Sequence, residues 1–146
     1  MYHKLLIITI LWCWKLLFSQ KIEFKHSNPI IIGSSIDITL EPIAKNKKEK
    51  VRINIKKDGD EYDTRISREK FMVILNAIQK IKSDTIAVLG NTFDTSSSSI
   101  TLYENNWKDK SYYAEGLNKK SQNNKQEDFW YATKLIIRVA KLRMEN

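Results

Sequence analysis

The sequence predicts an α+β fold: one antiparallel sheet of about five to six strands with two amphipathic helices packed on one face. Three observations carry this. Apolar and polar residues alternate with period two at Ile36, Ile38, Leu40 and again at Val51, Ile53, Ile55. Asp58-Gly59 sits between two such stretches, where a two-residue hairpin turn needs positive φ. Two later stretches carry apolar residues at helical spacing: Phe71, Ile74, Leu75, Ile78, Ile81, and then Phe129, Ala132, Thr133, Ile136, Val139.

The elements follow in order. Ile22 to His26 reads as an edge strand closed by Asn28-Pro29, because Pro29 lacks a backbone donor. Ile30-Ile31-Ile32-Gly33 is a short apolar run. Ile36, Ile38 and Leu40 form a half-buried strand that Pro42 ends, and a charged loop from Lys45 to Lys50 follows. Val51 to Lys56 and Tyr62 to Ile66 are the two arms of the Asp58-Gly59 hairpin. Ser67 then caps a helix, with Glu69 complementing its positive end and Ile66 and Phe71 at the staple positions. Ser83-Asp84 stops it. Thr85 to Leu89 is a short strand, and Asn91 to Ser99 a polar loop holding a four-serine run. Ile100 to Tyr103 and Lys110 to Ala114 pair across an Asn105-Asn106 turn. Gly116 to Lys125 is a polar linker. A second helix opens at Glu127 or Asp128 and runs to about Arg143, its stripe flanked by Leu135, Ala140 and Leu142. Hairpin plus helix thus recurs, in the form of a ββα duplication, although any two amphipathic helices share this spacing.

The first nineteen residues read as a secretory signal. Lys4 gives a positive start, Leu5 to Trp14 an apolar run, and Phe18-Ser19-Gln20 a small-residue exit with cleavage expected between Ser19 and Gln20. The run is shorter than the roughly 20 apolar residues that span a bilayer. Its Phe-Ser-Gln ending resembles export signals common in one group of Gram-negative bacteria. Residues 20–146 are then one domain in the periplasm or outside the cell. Cys13 is the only cysteine, so that domain has no disulfide and no thiolate metal site. The segment before Cys13, Ile10-Leu11-Trp12, lacks the small residues of a lipoprotein site.

The chain is 146 residues long with net charge +8, and its bases are twenty Lys against five Arg. Base reading and phosphate clamping favour Arg, and the lysines are scattered among acids, so nucleic acid is not the expected partner. No catalytic constellation emerges. Asp58, Asp60, Glu61 and Asp63 do not follow the EF-hand spacing, since Gly59 falls at the second position and not the sixth. His26 is the only histidine after the leader and has no second ligand or evident serine partner. Ser96 to Ser99 lack a nucleophile elbow. No cofactor or metal is expected. Paired carboxylates for a small envelope hydrolase can meet from anywhere in a fold, and Glu104 and Glu115, which flank the second hairpin, are examples.

Two features point to binding. Trp107, Tyr112 and Tyr113, with Tyr103 nearby, lie on or beside the second hairpin, and exposed aromatics are typical anchors of binding surfaces. The competing assignment packs these rings against the second helix, near Trp130 or Tyr131. Lys134, Arg138 and Lys141 form a basic row on that helix, which could meet an anionic membrane or simply face solvent. The expectation is a non-enzymatic module that engages a protein partner through the second hairpin. A small exported hairpin-plus-helix protein is similar to periplasmic inhibitor and immunity proteins. No motif carries that likeness, and it assigns no residue.

Overall fold

The computed structural model describes residues 20–27, 34–43, 50–82, 85–86, 96–103, 109–115 and 124–142. The leader, the Ile30–Ile32 run and the link holding Trp107 lie outside them. Among the described residues no helix is long and apolar enough to cross a membrane.

The fold is α+β. In chain order the elements are β1 (Lys21–Ser27), β2 (Ser35–Pro42), β3 (Lys50–Lys57), β4 (Asp60–Ser67), α1 (Arg68–Gln79), β5 (Thr85–Ile86), β6 (Ser97–Tyr103), β7 (Lys110–Glu115) and α2 (Asn124–Val139). The sheet order is β4-β3-β2-β1-β6-β7-β5. Six strands run antiparallel, and the two-residue β5 adds to β7 in parallel.

β1 is not an edge strand, as the sequence suggested, but the centre of the sheet. It pairs with β2 on one side and β6 on the other. Pro29 does not prevent this, because it falls beyond the last paired residue, Ser27. Both edges of β1 are therefore free to bond, and its alternate residues Ile22 and Phe24 are fully buried.

Register turns the period-two pattern into two unlike faces. One row runs Thr64, Ile53, Leu40, Ile22, Leu102 across β4, β3, β2, β1 and β6. The next runs Tyr62, Ile55, Ile38, Phe24, Ile100, Tyr112. These rows share one core with Phe71, Ile74, Leu75 and Ile78 of α1 and with Phe129, Ala132 and Ile136 of α2. A one-residue slip of any strand would send its apolar set to the polar side, so burial fixes the register.

The local signals act as chemistry demands. Asp58 and Gly59 have φ of 53° and 93°, the two positive values of a type I′ turn. The Ser67 hydroxyl accepts from Lys70 N at 3.5 Å and caps α1. The serine run is not all loop: Ser97 to Ser99 open β6, drawn into the ladder by pairing with Ser27, His26 and Lys25 of β1. The units β3–β4–α1 and β6–β7–α2 both exist, on either side of β1 and β2.

α2 starts earlier and stops earlier than its sequence pattern suggested. Its end is a Schellman motif: Lys141 N donates to Arg138 O at 3.1 Å and Leu142 N to Ile137 O at 3.1 Å. This seats Lys141 at φ 59°, in left-handed geometry that favours glycine. Ile137 is buried and Val139 only half-buried. Thr133 is 2 % exposed, and its hydroxyl has no hydrogen-bond partner among the described residues.

Two substitutions follow from these strained or unsatisfied points. Lys141→Gly relieves the backbone and raises unfolding free energy by about 1 kcal/mol. Thr133→Val removes an unpaired buried hydroxyl at nearly constant shape and raises it by about 1 kcal/mol. Urea denaturation of each variant against the parent measures both.

Candidate functional site

The polar face of the sheet is built from the residues that alternate with the core. Its two halves differ in chemistry. Across β4, β3, β2 and β1 one row reads Glu61, Lys56, Asp37, Lys25, with charge alternating at every step. Lys56 Nζ lies 3.4 Å from Glu61 Oε2, and Asn54 Nδ2 donates to Glu61 Oε1 at 2.8 Å and Asp63 Oδ1 at 3.0 Å. The Asn54 bond first, and then Lys56, hold the Glu61 carboxyl below the ordinary carboxylate range.

Past β1 hydroxyls replace most of the charges, with Asp109 near Tyr103 at one end. The polar face of β6 and β7 carries Ser97, Ser99, Thr101, Tyr103, Ser111 and Tyr113, with Glu115 as the charged residue at its end. Thr101 and Ser111 hydroxyls are 3.1 Å apart, and Ser27 and Ser97 hydroxyls 2.8 Å apart. Tyr113 stands on this strip 40 % exposed.

Tyr103 joins the two halves. Its hydroxyl donates to Glu23 Oε2 at 2.5 Å, Glu23 Oε1 lies 3.4 Å from Lys25 Nζ, and Lys21 Nζ sits 5.0 Å from the Tyr103 ring centre. The Tyr103 bond, followed by the attraction of Lys25 and Lys21, holds the Glu23 carboxyl below its ordinary range against the opposing effect of burial. The same bond, with burial and the negative charges of Glu23 and Asp109, pushes the Tyr103 phenol up to about 12.

The four aromatics grouped by sequence do not form one patch. Tyr103 and Tyr113 share the polar face. Tyr112 faces the other way, beside Ile100, and at 5 % exposure belongs to the core; adjacent residues of a strand cannot both serve one surface. Trp107 lies outside the described residues, as does Glu104, while Glu115 is exposed at the end of β7. Lys134 and Arg138 are exposed on α2, and Lys141, also exposed, lies beyond the helix end at positive φ.

His26 has a partner that sequence reading missed. Its Nδ1 lies 2.8 Å from Ser98 Oγ across β1 and β6, on the apolar side of the sheet. Burial keeps the imidazole below its ordinary pKa. A histidine beside a serine is the minimum of a nucleophile–base pair. Ser98 is 1 % exposed, however, so a substrate cannot reach its oxygen in this conformation, and the contact serves to pair two polar groups at the fringe of the core. No signal within either segment announces it; only the β1–β6 register does.

Comparisons with protein-family models, with curated proteins and with solved structures found no match for this chain.

The Tyr103–Glu23 bond gives a pH signature with a definite sign. Glu23 is depressed below 4.5, so its share of stability is present above that value and is lost as pH falls through the folded-state pKa. Tyr103 is raised, so its share is complete below 10.0 and is lost as pH rises through about 12. Tyr103→Phe is therefore less stable than the parent by a constant margin from neutral pH to 10.0, and the margin shrinks in acid and in strong base. A series of urea titrations across pH checks this; a margin independent of pH would mean that the bond does not form.

Proposed function

We propose that this protein is a non-enzymatic binding module, working in the periplasm or outside the cell after loss of residues 1–19, that engages a protein partner through the polar face of β6 and β7. Inhibitor or immunity-type action, or an envelope-associated role, is the form proposed for it. The observation that carries the proposal is the change from charge to hydroxyl at β1. A partner that covers Glu61, Lys56, Asp37 and Lys25 must strip water from charges that already neighbour their opposites in register, with Lys56 and Glu61 in contact, and desolvating charge opposes binding. A partner that covers Ser99, Thr101, Ser111 and Tyr113 meets hydroxyls that turn to donate or accept, and one rigid ring. Tyr and Ser are the residues of adaptable protein-binding surfaces for this reason.

The same reading puts both helices on the apolar face. The chain must pass from β4 at one edge to β5 at the other, roughly 29 Å at the usual strand spacing. α1 provides about 18 Å of that path. Laid across the apolar rows, it makes the crossing and covers them, and the polar face stays open for a partner.

The test is affinity capture from the envelope of the source cell, with the parent and three variants compared. Tyr113→Ala with Ser111→Lys abolishes capture of the partner, while Lys56→Ala on the charged half retains it. All variants keep the parent's melting temperature within about 4 °C, because the changed residues are exposed. Trp107→Ala, in the link between the same two strands, likewise loses the partner without unfolding. Equal capture by the parent and the hydroxyl-strip variant would remove the surface from consideration.

A further inference from the structure

We propose that the outer edge of β4 joins two copies of this chain, strand to strand, in an antiparallel register centred on Thr64. β4 ends the sheet, so half of its backbone groups face outward. Lys57 and Asp60 flank the two-residue turn and form the closing hydrogen-bonded pair of the hairpin. Asp60, Tyr62, Thr64 and Ile66 then direct their backbone groups to β3. Glu61, Asp63 and Arg65 direct theirs to the free edge.

A two-fold axis through Thr64 sets Asp63 of each copy opposite Arg65 of the other, with backbone hydrogen bonds between them. On the other face it sets Tyr62 beside Ile66 of the second copy. Tyr62 closes an apolar row that ends at the sheet edge with this ring 43 % exposed. The new neighbour covers it.

Charge selects this register over the others. An axis through Asp63 sets Glu61 against Arg65 but Asp63 against itself at the centre, one through Arg65 sets Arg65 against itself, and one through Tyr62 sets Glu61 against Asp63; the Thr64 axis has the Asp63–Arg65 pairs with no like-charge pair. Like charges directly opposite each other destabilise a strand pair, whereas unlike charges support it. A second observation points the same way. Arg65 already faces Arg52 of β3, a like-charge pair, and the ion pairs among described residues, Lys25–Glu23 and Lys56–Glu61, leave both out. An Asp63 arriving on the outer side of Arg65 offsets that repulsion. Asn54 holds Asp63 on the same face, at 3.0 Å.

Charged side chains on an edge strand usually keep other strands away. Here the same charges are self-complementary in one register. The contact is a single strand per copy, well below the area of a standard interface, so association is weak and concentration-dependent.

Sedimentation equilibrium of the purified protein, from about 10 µM to about 1 mM, tests the proposal. The parent shifts from monomer to dimer across this range, and the shift weakens in high salt. Asp63→Arg alone and Arg65→Asp alone each weaken self-association at least about tenfold. Mixing the two variants restores a dimer, now a heterodimer, because every opposed pair is again of unlike charge. Circular dichroism and thermal melting confirm that each variant is folded before mixing. A parent that stays monomeric at the highest concentration overturns the proposal. So does a dimer indifferent to salt and to the single reversals, or failure of the folded variants to associate on mixing.

Discussion

The sheet is held together through β1. Lys21–Ser27 pairs with β2 along one edge and with β6 along the other, so among the described residues the strand ladders of the β1–β4 meander and the β6–β7 pair meet along these seven residues. Ile22 and Phe24 put the middle of both apolar rows at this strand, and Glu23 and Lys25 put the boundary between charged and hydroxyl halves on its reverse. The core and the candidate binding face are two sides of the same register. Any change that shifted β1 by one residue would exchange them.

That boundary gives the polar face its character. On the β2 side, the row Glu61, Lys56, Asp37, Lys25 alternates in sign, so its charges neighbour their opposites, while Arg52 and Arg65 face each other nearer the far end of β4. On the β6 side, hydroxyls bond to hydroxyls and keep spare donor and acceptor capacity. The Tyr103–Glu23 bond straddles the line and fixes a phenol beside a carboxylate that would otherwise compete for water. The chain's overall positive charge is no guide to this surface, where acids and bases interleave.

Much of this was legible in the sequence because it is local. Alternation at Ile36–Leu40 and Val51–Ile55, the Asp58-Gly59 turn, the Ser67 cap and the Phe71–Ile81 stripe each need only a few neighbouring residues to be read. What was missed depends on partners far away in sequence. β1 looks like an edge strand until β6 supplies its second ladder. Ser97 to Ser99 look like loop because serine has weak strand preference, and pairing with β1 overrides it. The His26–Ser98 contact spans 72 residues. Tyr112 and Tyr113 look alike in a sequence, yet strand parity sends them to opposite faces. Lys141 looks helical by spacing, but the Schellman turn has already ended α2.

The placement of β1 also orders events during synthesis. The strand emerges early from the ribosome, yet its second neighbour ends at Tyr103, 80 residues beyond Glu23. Until that residue is clear of the exit tunnel, the growing polypeptide has a meander whose inner strand presents an unmet ladder beside Ile22 and Phe24. Such an edge invites wrong pairing, and contacts of long sequence separation close slowly. Completion of the sheet therefore waits on strands made late in synthesis, and β1 keeps one unmet edge until they arrive.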